Sequence, residues 1–134
     1  MNRAMEKKRL LVVDDENGSA IACRVVLEHT ERFVVKTELD GANTLAAARA
    51  FRPHLILIDR GLPGMTGDEL AAALQADEEM KSVPIVIITA TPTNEEASRG
   101  FGRFPVLPKP FASEELVRIV DRVLAAHPDS APAA

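Results

Sequence analysis

Leu55-Ile56-Leu57-Ile58-Asp59 is a run of four apolar residues that stops at an acid. Two more runs share this form. Leu10-Leu11-Val12-Val13 stops at Asp14-Asp15, and Ile85-Val86-Ile87-Ile88 stops at Thr89. None of them alternates apolar with polar residues. Side chains of a strand point to opposite faces in turn, so a continuous apolar run predicts a strand covered on both faces. Pro105-Val106-Leu107-Pro108, just before Lys109, and Phe33-Val34-Val35 are weaker candidates of the same kind.

Helical patterns lie between these runs. Gly18 to Glu31 carries Ile21, Val25 and Glu28 at helical steps, and Ala42 to Arg52 is alanine-rich with Leu45 and Phe51. Asp68 to Asp77 has Leu70 and Leu74 one turn apart. Leu116, Ile119, Val120, Val123 and Leu124 form the clearest amphipathic stripe, with Ser113 placed to cap that helix. Strands alternating with helices predict right-handed βαβ units and a doubly wound α/β fold with a parallel sheet. Such folds bind ligands outside the carboxyl ends of their strands. Asp14, Asp15, Asp59, Thr89 and Lys109 each follow a predicted strand and should converge on one rim.

Size and charge narrow the function classes. A chain of 134 residues suits one domain with one core. We divide it into a basic lead-in over 1–7, a domain over 8–126 and a flexible tail over 127–134. The net charge of −4 argues against a broad nucleic-acid surface. No apolar run approaches the ~20 residues of a membrane span, and the N-terminus has no secretory h-region. The single cysteine, Cys23, allows no internal disulfide and reads as a buried thiol in a cytoplasmic protein. The three histidines, His29, His54 and His127, are scattered, and there is no zinc-type pairing or glycine-rich phosphate loop.

The rim residues suggest their own chemistry. Three carboxylates ~5 Å apart repel by roughly 3 kcal/mol per pair at an effective dielectric near 20, so a compensating cation is expected. Oxygen ligands with room for water and phosphate suit Mg²⁺. Lys109 adds a compact positive charge, and Thr89 adds a hydroxyl donor. The set fits in-line phosphoryl transfer to a carboxylate, which needs positioning and charge neutralisation.

Four motifs then carry a family resemblance. They are Asp14-Asp15-Glu16, the stretch from Leu57-Ile58-Asp59 to Leu62-Pro63-Gly64-Met65-Thr66-Gly67, Thr89-Ala90, and Lys109-Pro110-Phe111. In this order and spacing the chain resembles the CheY-like response-regulator receivers of two-component signalling over about residues 8 to 126. The resemblance implies a flavodoxin-like fold with five parallel strands in the order 2-1-3-4-5. It implies Asp59 as phospho-acceptor, and Asp14, Asp15, Asp59 and the Gly61 backbone carbonyl as the Mg²⁺ site. Thr89 and Lys109 would contact the phosphoryl group, and Lys109-Pro110 would be cis. A histidine kinase or histidine phosphotransfer protein would supply the phosphoryl group, and the chain would catalyse only its own phosphorylation and dephosphorylation.

The sequence departs from that family at several points. Val106 stands where the family has an aromatic switch residue, which predicts a modified output route. Thr93 to Arg99 must supply the fourth helix, and its length and single apolar residue, Ala97, predict a short or irregular one. Phe101 and Phe104 nearby form a candidate partner surface, where a homodimer could also form. Gly61 offers no side chain to screen an acyl phosphate. The start at Met1 and the short tail favour a stand-alone regulator. The alternatives are a receiver excised from a hybrid kinase and a pseudo-receiver that is never phosphorylated. The pseudo-receiver reading is disfavoured because no acidic rim residue, threonine or lysine is missing. A haloacid-dehalogenase-type phosphatase would need Asp-x-Asp after the first strand, and Asp14-Asp15-Glu16-Asn17 lacks it.

Overall fold

The computed structural model describes residues 7–90 and 104–127. Five strands alternate with helices: β1 (Lys8–Val13), α1 (Asn17–His29), β2 (Phe33–Glu38), α2 (Thr44–Phe51), β3 (Leu55–Asp59), α3 (Gly67–Ala76), β4 (Ile85–Thr89), β5 (Val106–Pro108) and α4 (Ser113–Ala126). All pairings are parallel, and the sheet order is β2-β1-β3-β4-β5. The expected helix over 93–99 and Phe101 lie outside the described residues.

The unalternating runs are explained by two separate cores. Leu10, Val12, Leu55, Leu57, Val86 and Ile88 face one layer, where they meet Cys23, Leu27, Leu116 and Val120. Their neighbours Leu11, Val13, Ile56, Ile58, Ile85 and Ile87 face the other, against Ala48, Leu70, Leu74 and Met80. The central runs are apolar throughout because both faces of the sheet there have a helical cover. Among the described residues no helix is long and apolar enough to cross a membrane.

Two local expectations are corrected. The inner face of α1 is Ala20, Cys23 and Leu27, whereas Ile21 and Val25 are 45% and 61% exposed. Ala20 and Cys23 carry a weaker hydrophobic signal than Ile21 and Val25, so side-chain size does not mark the inner face of this helix. Ser113 is also not the cap of α4. Ala112 holds the cap position, and its N–H donates to Glu115 Oε1 at 2.7 Å, so the reaching carboxylate fixes the helix start. At the other end, the His127 N–H donates to the Leu124 carbonyl at 3.1 Å.

Two side chains secure the sheet's margins. Arg9 Nε donates to the Phe51 and Arg52 carbonyls at 3.0 and 2.7 Å, closing the C-terminus of α2 against β1. Glu28 on α1 accepts the Val35 N–H at 3.1 Å, on the outer edge of β2.

Candidate functional site

The polar residues at or just after the strand ends are brought together by topology. All five strands run the same way, so their carboxyl ends share one rim. Asp14 directly follows β1, Asp59 ends β3 and Thr89 ends β4. Lys109 follows β5, and its backbone N–H donates to the Thr89 carbonyl at 2.8 Å. The Lys109-Pro110 bond is cis.

Asp14, Asp15, Asp59 and Lys109 come together at this rim. One carboxylate oxygen from each of Asp14, Asp15 and Asp59 lies within 4.8 Å of the others. Lys109 Nζ stands 3.8 Å from Asp14 Oδ2 and 3.9 Å from Asp59 Oδ1. Asp14 and Asp59 therefore both face the Lys109 ammonium at close range. Asp14 is only 4% exposed, and burial pushes its carboxyl above the ordinary aspartate range. The Glu16 N–H bonded to Asp14 Oδ1 at 2.9 Å opposes that rise, the Asp59 charge adds to it and Lys109 counters it. The donor set fits a small hard divalent cation: three clustered carboxylates with one neighbouring cation leave negative charge unmatched.

The acceptor candidates differ in what their oxygens already do. Asp14 is buried, with Oδ1 taken by the Glu16 amide. Asp59 is half-buried on the central strand, and among the described residues its Oδ1 receives a long 3.4 Å contact from the Gly61 N–H. Asp59 is thus the more accessible of the two oxygen nucleophiles. Thr89 is buried at the same rim. Glu16 accepts the Ser19 hydroxyl at 2.6 Å, a bond at the start of α1.

The other expected residues fall as follows. Val106 is half-buried and packs with Phe104 against the α2/α3 core layer. Cys23 is buried, as expected, but its nearness to the rim was not foreseen. It lines a cleft of about 620 Å³ together with Asp14, Lys109 and Phe111. Burial pushes the Cys23 thiol up to about 11, with Asp14 and Asp59 adding to the rise. The thiolate form is therefore disfavoured near neutral pH. Gly67 is a residue whose role sequence reasoning missed. The available signal was a glycine at the first helical position, straight after Thr66.

The loop after Asp59 is tied at both ends. Arg60 N–H donates to the Ile88 carbonyl at 2.8 Å, and Gly67 N–H donates to the Arg60 carbonyl at 2.9 Å. Thr66 caps α3: its Oγ1 accepts the Glu69 N–H at 3.2 Å while Glu69 Oε1 accepts the Thr66 N–H at 2.8 Å. Gly64, with φ of +81°, makes the sharp bend inside this loop.

Comparison with known proteins agrees with this geometry. Residues 10–121 match the response regulator receiver domain. The chain is 38% identical over 113 residues to the DNA-binding response regulator MtrA of Mycolicibacterium paratuberculosis, covering 83% of this chain and 48% of that protein. It thus spans about half the length of that relative. The chemotaxis response regulator CheY4 of Vibrio cholerae superposes with a TM-score of 0.78 at 30% identity, covering 89% of this chain and 100% of that one. The receiver domain of the sensor histidine kinase PA1611 of Pseudomonas aeruginosa gives 0.78 at 26% identity, covering 90% and 99%, and holds a magnesium ion in its active site cleft. Fold, rim and family match coincide, and the chain belongs to the response regulator receiver domain family of two-component signalling.

Proposed function

We propose that the chain is a Mg²⁺-dependent phospho-acceptor switch in which Asp59 takes the phosphoryl group. The carrying observation is that the partly exposed Asp59 carboxylate lies 3.9 Å from Lys109 Nζ and shares a cluster with Asp14 and Asp15. Asp14, Asp15, Asp59 and the Gly61 carbonyl would hold Mg²⁺. When bound, the ion supplies charge neutralisation at the phosphoryl oxygens.

The chain's own residues do the rest. An Asp59 oxygen forms the new P–O bond as the P–N bond of a phosphohistidine breaks, and the electron pair leaves with the imidazole nitrogen. Lys109 supplies positive charge beside the transferred group, and the Thr89 hydroxyl donates to one of its oxygens. The donor is a histidine kinase or a phosphotransfer protein, and the output is a change in protein contacts. With Val106 at the family's aromatic switch position, that output takes a modified route. The same site serves a separate regulator or a receiver within a larger protein.

The test is direct. The protein is incubated with Mg²⁺ and acetyl or carbamoyl phosphate, and its mass is followed. One phosphoryl group should be gained, and the gain should vanish in Asp59→Asn and with EDTA. Labelling that persists in Asp59→Asn would defeat the assignment, and no labelling from any donor would favour a pseudo-receiver.

A further inference from the structure

We infer that Gly67 is a positioning residue for Asp59: the missing side chain lets the start of α3 press against the acceptor's backbone and fixes where its carboxylate sits. The inference rests on the phospho-acceptor reading above. A Cβ built at Gly67 would lie 2.7 Å from Arg60 Cα and 2.9 Å from the Asp59 carbonyl oxygen. These are backbone atoms and cannot rotate aside. The contrast with other glycines is informative. A Cβ at Gly41 would meet the flexible Met65 side chain at 3.2 Å, and one at Gly18 or Gly61 would meet nothing within 4 Å.

The neighbourhood leaves few ways to relieve such a wedge. Arg60 is bonded on one side to β4 through the Ile88 carbonyl and on the other to Gly67 itself. Asp59 lies next to it in the chain, so a shift of Arg60 off β4 carries Asp59 away from Lys109 and Asp14. Retreat of α3 instead breaks the Gly67–Arg60 bond and frees the loop that holds Gly61. The Thr66–Glu69 box resists unwinding of the first turn. A displacement near 1 Å at a reacting group can cost on the order of a hundredfold in rate.

The test compares Gly67→Ala with Leu74→Ala, which hollows the core under the same helix far from the rim. Both are measured at a temperature where circular dichroism shows each fully folded. The readouts are phosphorylation rate with acetyl phosphate, Mg²⁺ affinity by calorimetry, and the amide shifts of Arg60 and Gly61. Gly67→Ala should lose about tenfold or more in rate, with weaker Mg²⁺ binding and shifted amides. Leu74→Ala should lower Tm yet keep the rate and affinity. Wild-type rate and affinity in folded Gly67→Ala would overturn the inference, as would an equal fall in Leu74→Ala. If Gly67→Ala does not fold in buffer alone, it and the wild type are both measured in trimethylamine N-oxide, which favours the compact state. A reduced rate and Mg²⁺ affinity then support the inference, and unchanged values overturn it. A wild type that takes no phosphoryl group defeats the function itself, whereas a labelled wild type matched by Gly67→Ala defeats only this inference.

Discussion

Lys109 Nζ stands 3.9 Å from Asp59 Oδ1, close enough for a strong field but too far for a direct hydrogen bond. The gap leaves the carboxylate free to react. Lys109→Ala should therefore slow phosphorylation on the scale seen when one charge-stabilising donor is removed, about 10²-fold. The same variant should bind Mg²⁺ more tightly, because a competing cation has left a cluster of three acids. Opposite changes in labelling rate and calorimetric affinity are the expected pair.

Gly61 concerns the fate of the product. A Cβ there would meet nothing within 4 Å, so the position has open space for a first side-chain carbon. With glycine, the acyl phosphate at Asp59 lies open to water and should have no unusually long lifetime. Gly61→Leu should keep the fold and lengthen that lifetime. The check is loss of label after the donor is removed, with Mg²⁺ held constant.

The start of α3 offers a stability test. Thr66 and Glu69 satisfy each other's backbone amides. Thr66→Ala should cost about 1 kcal/mol, read as a lower urea midpoint at unchanged slope.

His54 sets a pH dependence at the opposite end of the sheet. Its Nδ1 accepts the Arg9 backbone N–H at 3.0 Å, and the His54 backbone N–H donates to the Arg9 carbonyl at 2.7 Å. Burial holds its pKa below the ordinary value, with the charges of Arg9 and Lys8 adding to the effect. The unfolded chain therefore takes up a proton first. This contribution to stability is whole above the unfolded value of about 6.5 and declines as pH falls through it toward the folded value. His54→Asn keeps an acceptor but cannot titrate. The urea midpoint should fall between pH 7.5 and 5.5 by less in this variant than in the wild type.

The fold and the rim were legible because one physical rule governs both. A strand covered on two faces must be apolar throughout, so the first polar residue after it marks a strand end. In a parallel sheet those ends meet. Asp14, Asp59, Thr89 and Lys109 could thus be placed together without knowing any contact. The inner face of α1 was less legible, since Ala20 and Cys23 are small while Ile21 and Val25 carry the larger hydrophobic signal. Gly67 was opaque for a different reason: a glycine straight after Thr66 signals a special position, but its partners Arg60 and Asp59 are set by a distance that the sequence does not carry. Ser113 looked like a cap by residue type, but Glu115 reaches the Ala112 amide and moves the boundary by one residue.

The carboxylate of Glu28 on the Val35 amide bears on how the protein behaves in a crowded solution. β2 is an outermost strand, and such a strand is a template on which another chain can add. To pair there, an incoming strand would first have to displace an anion held by Arg24 at 3.2 Å. The molecule thereby carries its own guard against fibre growth, on a helix whose opposite end borders the acidic rim.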